Sequence, residues 1–374
     1  MPDEEPVPPA FSVDRLDLES RAINPGRKSG WAPLNKIDVS FGPGELALVS
    51  ARTGHGKTSF LIGLLANWMG LMEEVGEPGA AKEVREPGDP AGMLLLYSLE
   101  ESEVQIYHRL LSLITGRHKD AGQRLSVPEV RKQLQGEGKM SVGLQEARTL
   151  LRACEGKMQL VHCPFWTVDQ IAKHAREAGE RGRVGSILVD YLQRVRTAKQ
   201  SERRDMEISL IGRRLRALAQ ELGAPVVAGA QINREPVSNK PSGNAAVNLR
   251  DRRPQLHQLR EGGGEQEADL VLGLLNHRME TQEEDRGDEG DEGAAGPKSQ
   301  ADQGAPVTML EVGTLKNRYG QAGRWAKLGF VGRYGLIREM TGKERADSRQ
   351  AERAAPAPAQ GRSQKAGPGS GAKR

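Results

Sequence analysis

Apolar residues in this chain fall into short, nearly unbroken runs separated by segments with helical spacing. Glu45–Ser50 (ELALVS), Met93–Ser98 (MLLLYS), Ser186–Asp190 (SILVD), Pro225–Ala230 and Leu270–Leu275 are the runs. Runs of this length, bounded by turn formers, predict strands buried on both faces. Between them, Lys57–Met69, Glu101–Ile114 and Met206–Leu222 repeat apolar residues at helical intervals. The last ends at Gly223, a helix stop, and its Met and Leu side chains are expected in the core. Thr167 followed by Gln170 predicts a capped helix to about Ala178, after a short strand at Gln159–Cys163. Val307–Leu315 and Arg324–Val331 predict two late strands, arranged as a hairpin. Strands alternating with helices predict an α/β fold with a mostly parallel sheet and helices on both faces.

The pattern lapses in several places. Residues 1–27 are polar and read as an arm before a domain spanning 28–340. Residues 72–92 (Gly, Pro, Glu) and 279–304 (acidic, low complexity) read as inserted loops. Residues 116–147 are helix-prone without a clear core stripe, and Asn233–Arg253 reads as a mobile stretch. Residues 341–374, rich in Ala, Pro, Gly and basic side chains, read as a disordered tail.

Composition narrows the class. Hydrophobic residues make up 37% and charged residues 28%, which suits a soluble enzyme. No apolar stretch approaches membrane-span length, and the acidic, proline-rich start is unlike a signal peptide. Cys154 and Cys163 make neither a disulfide framework nor a metal knot, which points to reduced thiols and the cytoplasm. The net charge is +4, yet residues 341–374 alone hold eight basic and three acidic side chains. The basicity belongs to the tail, so any case for nucleic-acid binding must rest on local loops.

Candidate chemistry begins at Ala51–Thr58, ARTGHGKT. The phosphate-loop pattern G-x-x-x-x-G-K-[ST] fits except at its first position, where Ala51 stands for glycine. Gly56, Lys57 and Thr58 lie between a predicted strand and a predicted helix, which is the context the motif requires. Backbone N–H groups from Thr53, Gly54, His55, Gly56 and Ser59 would surround anionic phosphates, Lys57 would reach the β/γ-phosphates of ATP, and Thr58 would hold Mg²⁺. Gly156–Lys157 and Gly342–Lys343 lack that context. Asn35–Asp38 matches a guanine-reading motif, but it precedes the loop instead of following it, so the match is coincidental. Asp190 ends a predicted strand and is a second Mg²⁺ candidate; its other reading is a cap on the following turn. Glu100 follows a strand at an equivalent edge and could accept a proton from water. Taken alone, it reads better as a helix N-terminal charge.

Seven blocks then occur in one order: SGWAPLNK, ARTGHGKT, YSLEES, ILVDYLQ, GAQINRE, LREGGGEQEADLVLGL and LKNRYG. Together they resemble the helicase domain of the DnaB replicative helicases from about residue 28 to 340. The resemblance implies a RecA-like P-loop core, ATP and Mg²⁺ as cofactors, single-stranded DNA as partner, a homo-hexameric ring and, in some relatives, a loader. It implies that Glu100 is the catalytic base, that Arg109 contacts nucleotide, and that Gln231 is a polar sensor. Lys316 and Arg318 would enter the neighbouring subunit's ATP site, while Arg260, Glu261 and Gly263 would follow the DNA backbone. The family's usual N-terminal primase-binding domain has no counterpart in the polar start, so primase binding is not expected. The implied function is ATP-driven translocation on single-stranded DNA with duplex unwinding. Two alternatives remain at this point: a RecA-class DNA-dependent ATPase that does not unwind, and an ATP-gated DNA-binding scaffold.

Overall fold

Leu46–Ala51 is buried at all six positions, which only a strand covered on both faces and paired on both edges tolerates. The computed structural model describes Val13 and residues 26–72, 92–198, 203–232, 252–262, 264–279 and 306–354. In chain order the elements are β1 (Arg27–Lys28), α1 (Ala32–Asn35), β2 (Ser40–Phe41), β3 (Leu46–Ala51), α2 (Lys57–Trp68), β4 (Met93–Ser98) and α3 (Glu103–Thr115). Next come α4 (Val127–Leu134), α5 (Val142–Arg152), β5 (Met158–His162), α6 (Val168–Arg181), β6 (Val184–Asp190), α7 (Arg204–Leu222) and β7 (Val226–Gln231). The last are β8 (Leu270–Asn276), β9 (Thr308–Asn317), β10 (Trp325–Val331), β11 (Leu336–Arg338) and α8 (Gly342–Ala354).

A nine-stranded sheet runs β11-β10-β9-β8-β3-β7-β6-β4-β5. From β5 to β8 every pairing is parallel, and β8 through β11 pair antiparallel. The expected α/β architecture and late hairpin are therefore present. Alternation along β3 divides the core. Ala47, Val49 and Ala51 face a layer with Phe60 and Leu64 of α2 and Leu110 of α3. Leu46 and Leu48 face Ile171 of α6 and Ile208 and Leu215 of α7. Trp31 ties the start of the domain to its end: its indole N–H donates to Ile337 O at 3.0 Å, and its ring lies 4.9 Å from that of Phe60.

Local chemistry sets the helix ends. Ser102 and Gln105 form a capping box that starts α3 two residues later than the apolar pattern suggests. Thr167 and Gln170 cap α6 as expected, and Gly223 ends α7 at φ 58°. The region 116–147 does build a small core, through Val130, Leu144 and Ala147.

Three expectations need correction. Residues 342–354 of the supposed disordered tail form α8. Thr341 and Glu344 cap it reciprocally, at 2.7 and 3.3 Å, and Arg338 pairs with Glu344 at 2.6 Å. Residues 355–374 lie outside the described residues, as do 73–91 and 280–304 of the two expected inserts. On α7, Met206 and Leu210 are not core: they are 56% and 39% exposed, because only one face of an amphipathic helix can meet the sheet. The domain also begins slightly earlier than expected, since Arg27 pairs with Phe41.

The hairpin end of the sheet carries a buried ion pair. Arg253 forks onto Glu311 at 2.8 and 3.0 Å, and its guanidinium stacks 4.5 Å from the Trp325 ring. Burial alone would raise the Glu311 carboxyl, but the His277 ring and the Arg253 guanidinium outweigh it and hold it down to about 2. A depressed carboxyl contributes stability above its ordinary value of 4.5, and that contribution is lost as pH falls toward 2. Urea midpoints of the wild type should therefore fall more steeply between pH 5 and 3 than those of Glu311→Gln; parallel curves would refute the coupling.

Gly313, opposite Trp325, makes a second prediction. A Cβ there would lie 2.2 Å from the indole ring. Gly313→Ala should destabilise the domain by roughly 1–3 kcal/mol through overpacking, and an unchanged urea midpoint would count against it.

Candidate functional site

The loop between β3 and α2 turns on two glycines, Gly54 at φ 82° and Gly56 at φ 90°. Both lie in the left-handed region that side chains resist, and a Cβ on Gly54 would also meet Met279 Cε at 2.8 Å. Ala51, which departs from the phosphate-loop pattern, is the last residue of β3 and fully buried, paired across from Gln231. It sits in the strand and not in the turn, so a methyl group there leaves the loop's path open. His55 is buried, and its Nδ1 accepts the Asn276 N–H at 3.2 Å, fastening the loop to the end of β8. Ser59 is buried beside Gly335, whose added Cβ would lie 3.5 Å from Ser59 Oγ. Thr53 and Gly54 are exposed at the crest.

Parallel register brings the other groups to this edge. Ser98 of β4 pairs with Asp190 of β6, and Ala51 of β3 with Gln231 of β7. Thr58 Oγ1 donates to Asp190 Oδ2 at 2.7 Å. Asp190 is 4% exposed, and its Oδ1 has no hydrogen-bond partner among the described residues. Burial raises its carboxyl, against the Thr58 hydrogen bond and the Lys57 charge. A hydroxyl beside a carboxylate with one buried, unsatisfied oxygen fits Mg²⁺, which takes hard oxygen donors and keeps several waters. The described residues contain no group of three or more His, Cys, Asp or Glu suited to a metal ion.

Lys57 lies with Nζ 3.8 Å from the centre of the Tyr191 ring. Burial lowers its pKa, opposed by Asp190 and Glu100. Glu100 is exposed directly after β4. Its neighbour Glu101 grips Arg109 of α3, with Arg109 Nε donating to Glu101 Oε2 at 2.6 Å, so Arg109 reaches the site's margin through that carboxylate. Gln231 Nε2 donates to Thr53 Oγ1 at 3.0 Å. Gln193 holds the Gln231 main chain from both sides: Gln231 N–H donates to Gln193 Oε1 at 3.0 Å, and Gln193 Nε2 donates to Gln231 O at 2.9 Å. Gly229 of β7 makes room for the cluster. A Cβ there would lie 3.1–3.2 Å from Lys57 Cδ, Asp190 Oδ1 and Tyr191 Cβ.

Lys316 and Arg318 are elsewhere. Since β9 runs antiparallel to β8, its end lies level with the start of β8 and β3. Arg318 Nη1 donates to Asp269 Oδ1 at 2.9 Å, and its main-chain N–H to Asp269 O at 2.8 Å. Asp269, 2% exposed, also accepts from Leu46 N and from Arg216 Nη2. Lys316 Nζ donates to the carbonyls of Glu265 and Gln266; burial first, then the nearby Arg318, lowers its pKa. The length of β3, about 20 Å at strand rise, separates this edge from Lys57.

Arg260 and Glu261 belong to a short 3₁₀ segment, Leu256–Gly262. Their side chains, and Gly263 altogether, lie outside the described residues. Sequence reading passes over Tyr191, Gln193, Gly229 and Asp269. Tyr191 and Gln193 stand in the quoted block ILVDYLQ, whose only evident chemistry in sequence is its aspartate.

The chain's sequence matches the DnaB-like helicase C terminal domain family over residues 26–339. It is 28% identical over 288 residues to the replicative DNA helicase DnaB of Mycoplasma pneumoniae, covering 74% of this chain and 53% of that protein. The fold is similar to a DnaB-like replicative helicase described with its interactions with primase, with a TM-score of 0.63 and 20% identity, covering 88% of this chain and 68% of that one. It is equally similar, at TM-score 0.63 and 21% identity, to a separately solved ATPase domain, over 89% of this chain and all of that one. The chain spans about half the length of the curated relatives it matches. No helix among the described residues is long and apolar enough to cross a membrane. Matched by that family's model over residues 26–339, nearly its whole described length, this chain belongs to the DnaB-like helicase C-terminal domain family.

Proposed function

We propose that the protein is an ATP-hydrolysing motor that moves along single-stranded DNA as a cytoplasmic homo-hexameric ring and unwinds duplex DNA in replication. The observation that carries this reading is the division of charges between two sheet edges. Lys57, Thr58, Asp190 and Glu100 stand at one edge, and Arg318 is held at the other.

In this reading the backbone N–H groups of Thr53–Ser59 and the Lys57 ammonium bind the ATP phosphates. Thr58 and Asp190 would hold Mg²⁺, which when bound would supply positive charge against the phosphoryl oxygens. Glu100 takes the proton of the attacking water, Arg109 supports the nucleotide from α3, and Gln231 senses the γ-phosphate at the strand end that leads to the segment after Ile232. Arg260, Glu261 and Gly263 track the DNA backbone without reading sequence, so binding weakens with salt. A loader that places the ring on DNA would be a further partner. Interactions with primase are described for a similar helicase, and nothing in this chain's residues argues for that contact here.

The deciding experiment pairs single-stranded-DNA-stimulated ATPase with unwinding of a forked duplex. The wild type should do both, Lys57→Ala should lose turnover, and Glu100→Gln should bind ATP·Mg²⁺ while losing most hydrolysis. Stimulated turnover without strand displacement would favour a RecA-class ATPase that does not unwind. ATP binding without turnover would favour an ATP-gated scaffold.

Arg318 is the second test. A chain cannot bring its own Arg318 across the length of β3, so any contact of this arginine with ATP would be with a neighbour's nucleotide, beside its pairing with Asp269. Such fingers contribute about 10³–10⁵-fold to turnover in other P-loop enzymes, and lysine lacks the planar fork. Arg318→Ala and Lys57→Ala proteins should each be inactive, while mixtures recover a fraction of wild-type ATPase after subunit exchange. Confirmed co-assembly with no recovery would defeat action in trans, provided that a wild-type plus Lys57→Ala titration shows that one dead subunit does not silence the ring.

A further inference from the structure

Three successive residues after Asp190 touch three different parts of the molecule. Tyr191 lays its ring against the Lys57 ammonium at 3.8 Å. Leu192, 1% exposed, packs on the main chain at Gly264, where an added Cβ would come 2.9 Å from Leu192 Cδ2. Gln193 makes the paired hydrogen bonds to the Gln231 main chain. The turn is itself braced, because Arg194 Nε donates to the Tyr191 hydroxyl at 3.1 Å and Arg204 donates to Gln193 O. One short turn therefore joins the phosphate-loop lysine, the strand end that leads to the segment after Ile232, and the segment that follows Gly263.

We propose that Tyr191 is a positioning residue whose ring face aims Lys57, and that the Tyr191–Arg194 turn mechanically couples Lys57 to Gln231 and to Gly264. The inference rests on the nucleotide-site reading above and deepens it. A lysine side chain carries four rotatable bonds, and freezing them on binding is costly. A ring held at its hydroxyl by Arg194 gives the ammonium one apolar, electron-rich face to lie on and leaves its remaining N–H donors for phosphate. Gly229 supports the same arrangement from β7, since any side chain there would crowd Lys57, Asp190 and Tyr191 together. Coupling follows from packing: a shift of the Tyr191 main chain would carry Leu192 and Gln193 with it, and each is held to a different segment, at Gly264 and at Gln231.

Two substitutions separate the ring from the hydroxyl: Tyr191→Phe keeps the face, and Tyr191→Leu removes it. Binding of a fluorescent ATP analogue, without DNA, should be within twofold of wild type for Tyr191→Phe. For Tyr191→Leu it should weaken roughly 5- to 30-fold, the range such a contact supports when partly desolvated. Urea midpoints for both variants check that the fold is intact. Gln193→Ala should bind the analogue like the wild type but lose most of the single-stranded-DNA stimulation of ATPase. If Tyr191→Leu binds as tightly as wild type, or if Tyr191→Phe is impaired as much as Tyr191→Leu, ring positioning is overturned. Full DNA stimulation in Gln193→Ala overturns the coupling. A wild type that neither binds the analogue nor hydrolyses ATP would defeat the nucleotide-site reading itself, and this inference with it.

Discussion

Parallel register is the constraint on which this molecule depends. Ala51 faces Gln231 across β3 and β7, and Ser98 faces Asp190 across β4 and β6. Strands paired this way end at one level, so the residues that follow them emerge along a single edge. The chain has little freedom in the matter. The strands that carry these residues, β3, β4, β6 and β7, are buried on both faces over most of their length, and a slip of one residue would turn every side chain to the wrong layer. Lys57, Glu100, Asp190 and Gln231 come from segments far apart in sequence, and it is hydrophobic burial deep in the sheet that sets their spacing. The level edge also explains why ligands of open α/β sheets collect at the carboxyl ends of strands.

The antiparallel hairpin changes the direction of the argument. Because β9 returns against β8, Arg318 is carried to the edge where β3 begins, and Asp269 holds it there. Asp269 bonds Leu46 N, Arg216 and Arg318 together, a buried carboxylate with both oxygens hydrogen-bonded. Removing one partner from such a node leaves a buried charge short of a bond, and that costs more than the bond contributes. The node therefore fixes Arg318 with its remaining donors toward solvent. Lys57 and Arg318 therefore stand at opposite edges of the sheet, the arrangement on which the proposed action in trans rests.

Much of this is legible in the sequence, for physical reasons that differ by element. Short apolar runs bounded by turn formers expose the buried strands, although the run inside α2 shows that a buried helix carries one too. Glycine, lysine and threonine in a strand–turn–helix context expose the loop, because phosphate binding demands those types at that spacing. The family resemblance, not spacing, supplies the assignments of Gln231, Lys316 and Arg318. Met206 and Leu210 mislead because composition cannot say which helix face meets the sheet. The helix at Gly342–Ala354 is hidden by its polar residues, although Thr341 and Glu344 spell its cap. Tyr191 and Gln193 escape for a further reason: their roles exist only through partners on other strands, and a linear reading assigns chemistry to residues one at a time.

Asp190 shows why such a site is kept despite its cost. Its carboxylate is buried, one oxygen bonded by Thr58 and the other without a partner among the described residues. Desolvating a carboxylate without satisfying it is unfavourable by several kcal/mol in general, and an apolar strand end would pack better. Neighbouring Lys57 relieves part of that cost, but Glu100 and Glu101 add to it. Arg109, paired with Glu101, offsets that carboxylate, so the cost at Asp190 is chiefly its burial. In the proposed reading, Mg²⁺ held by Thr58 and Asp190 would offset that burial, so nucleotide binding is expected to depend on the metal.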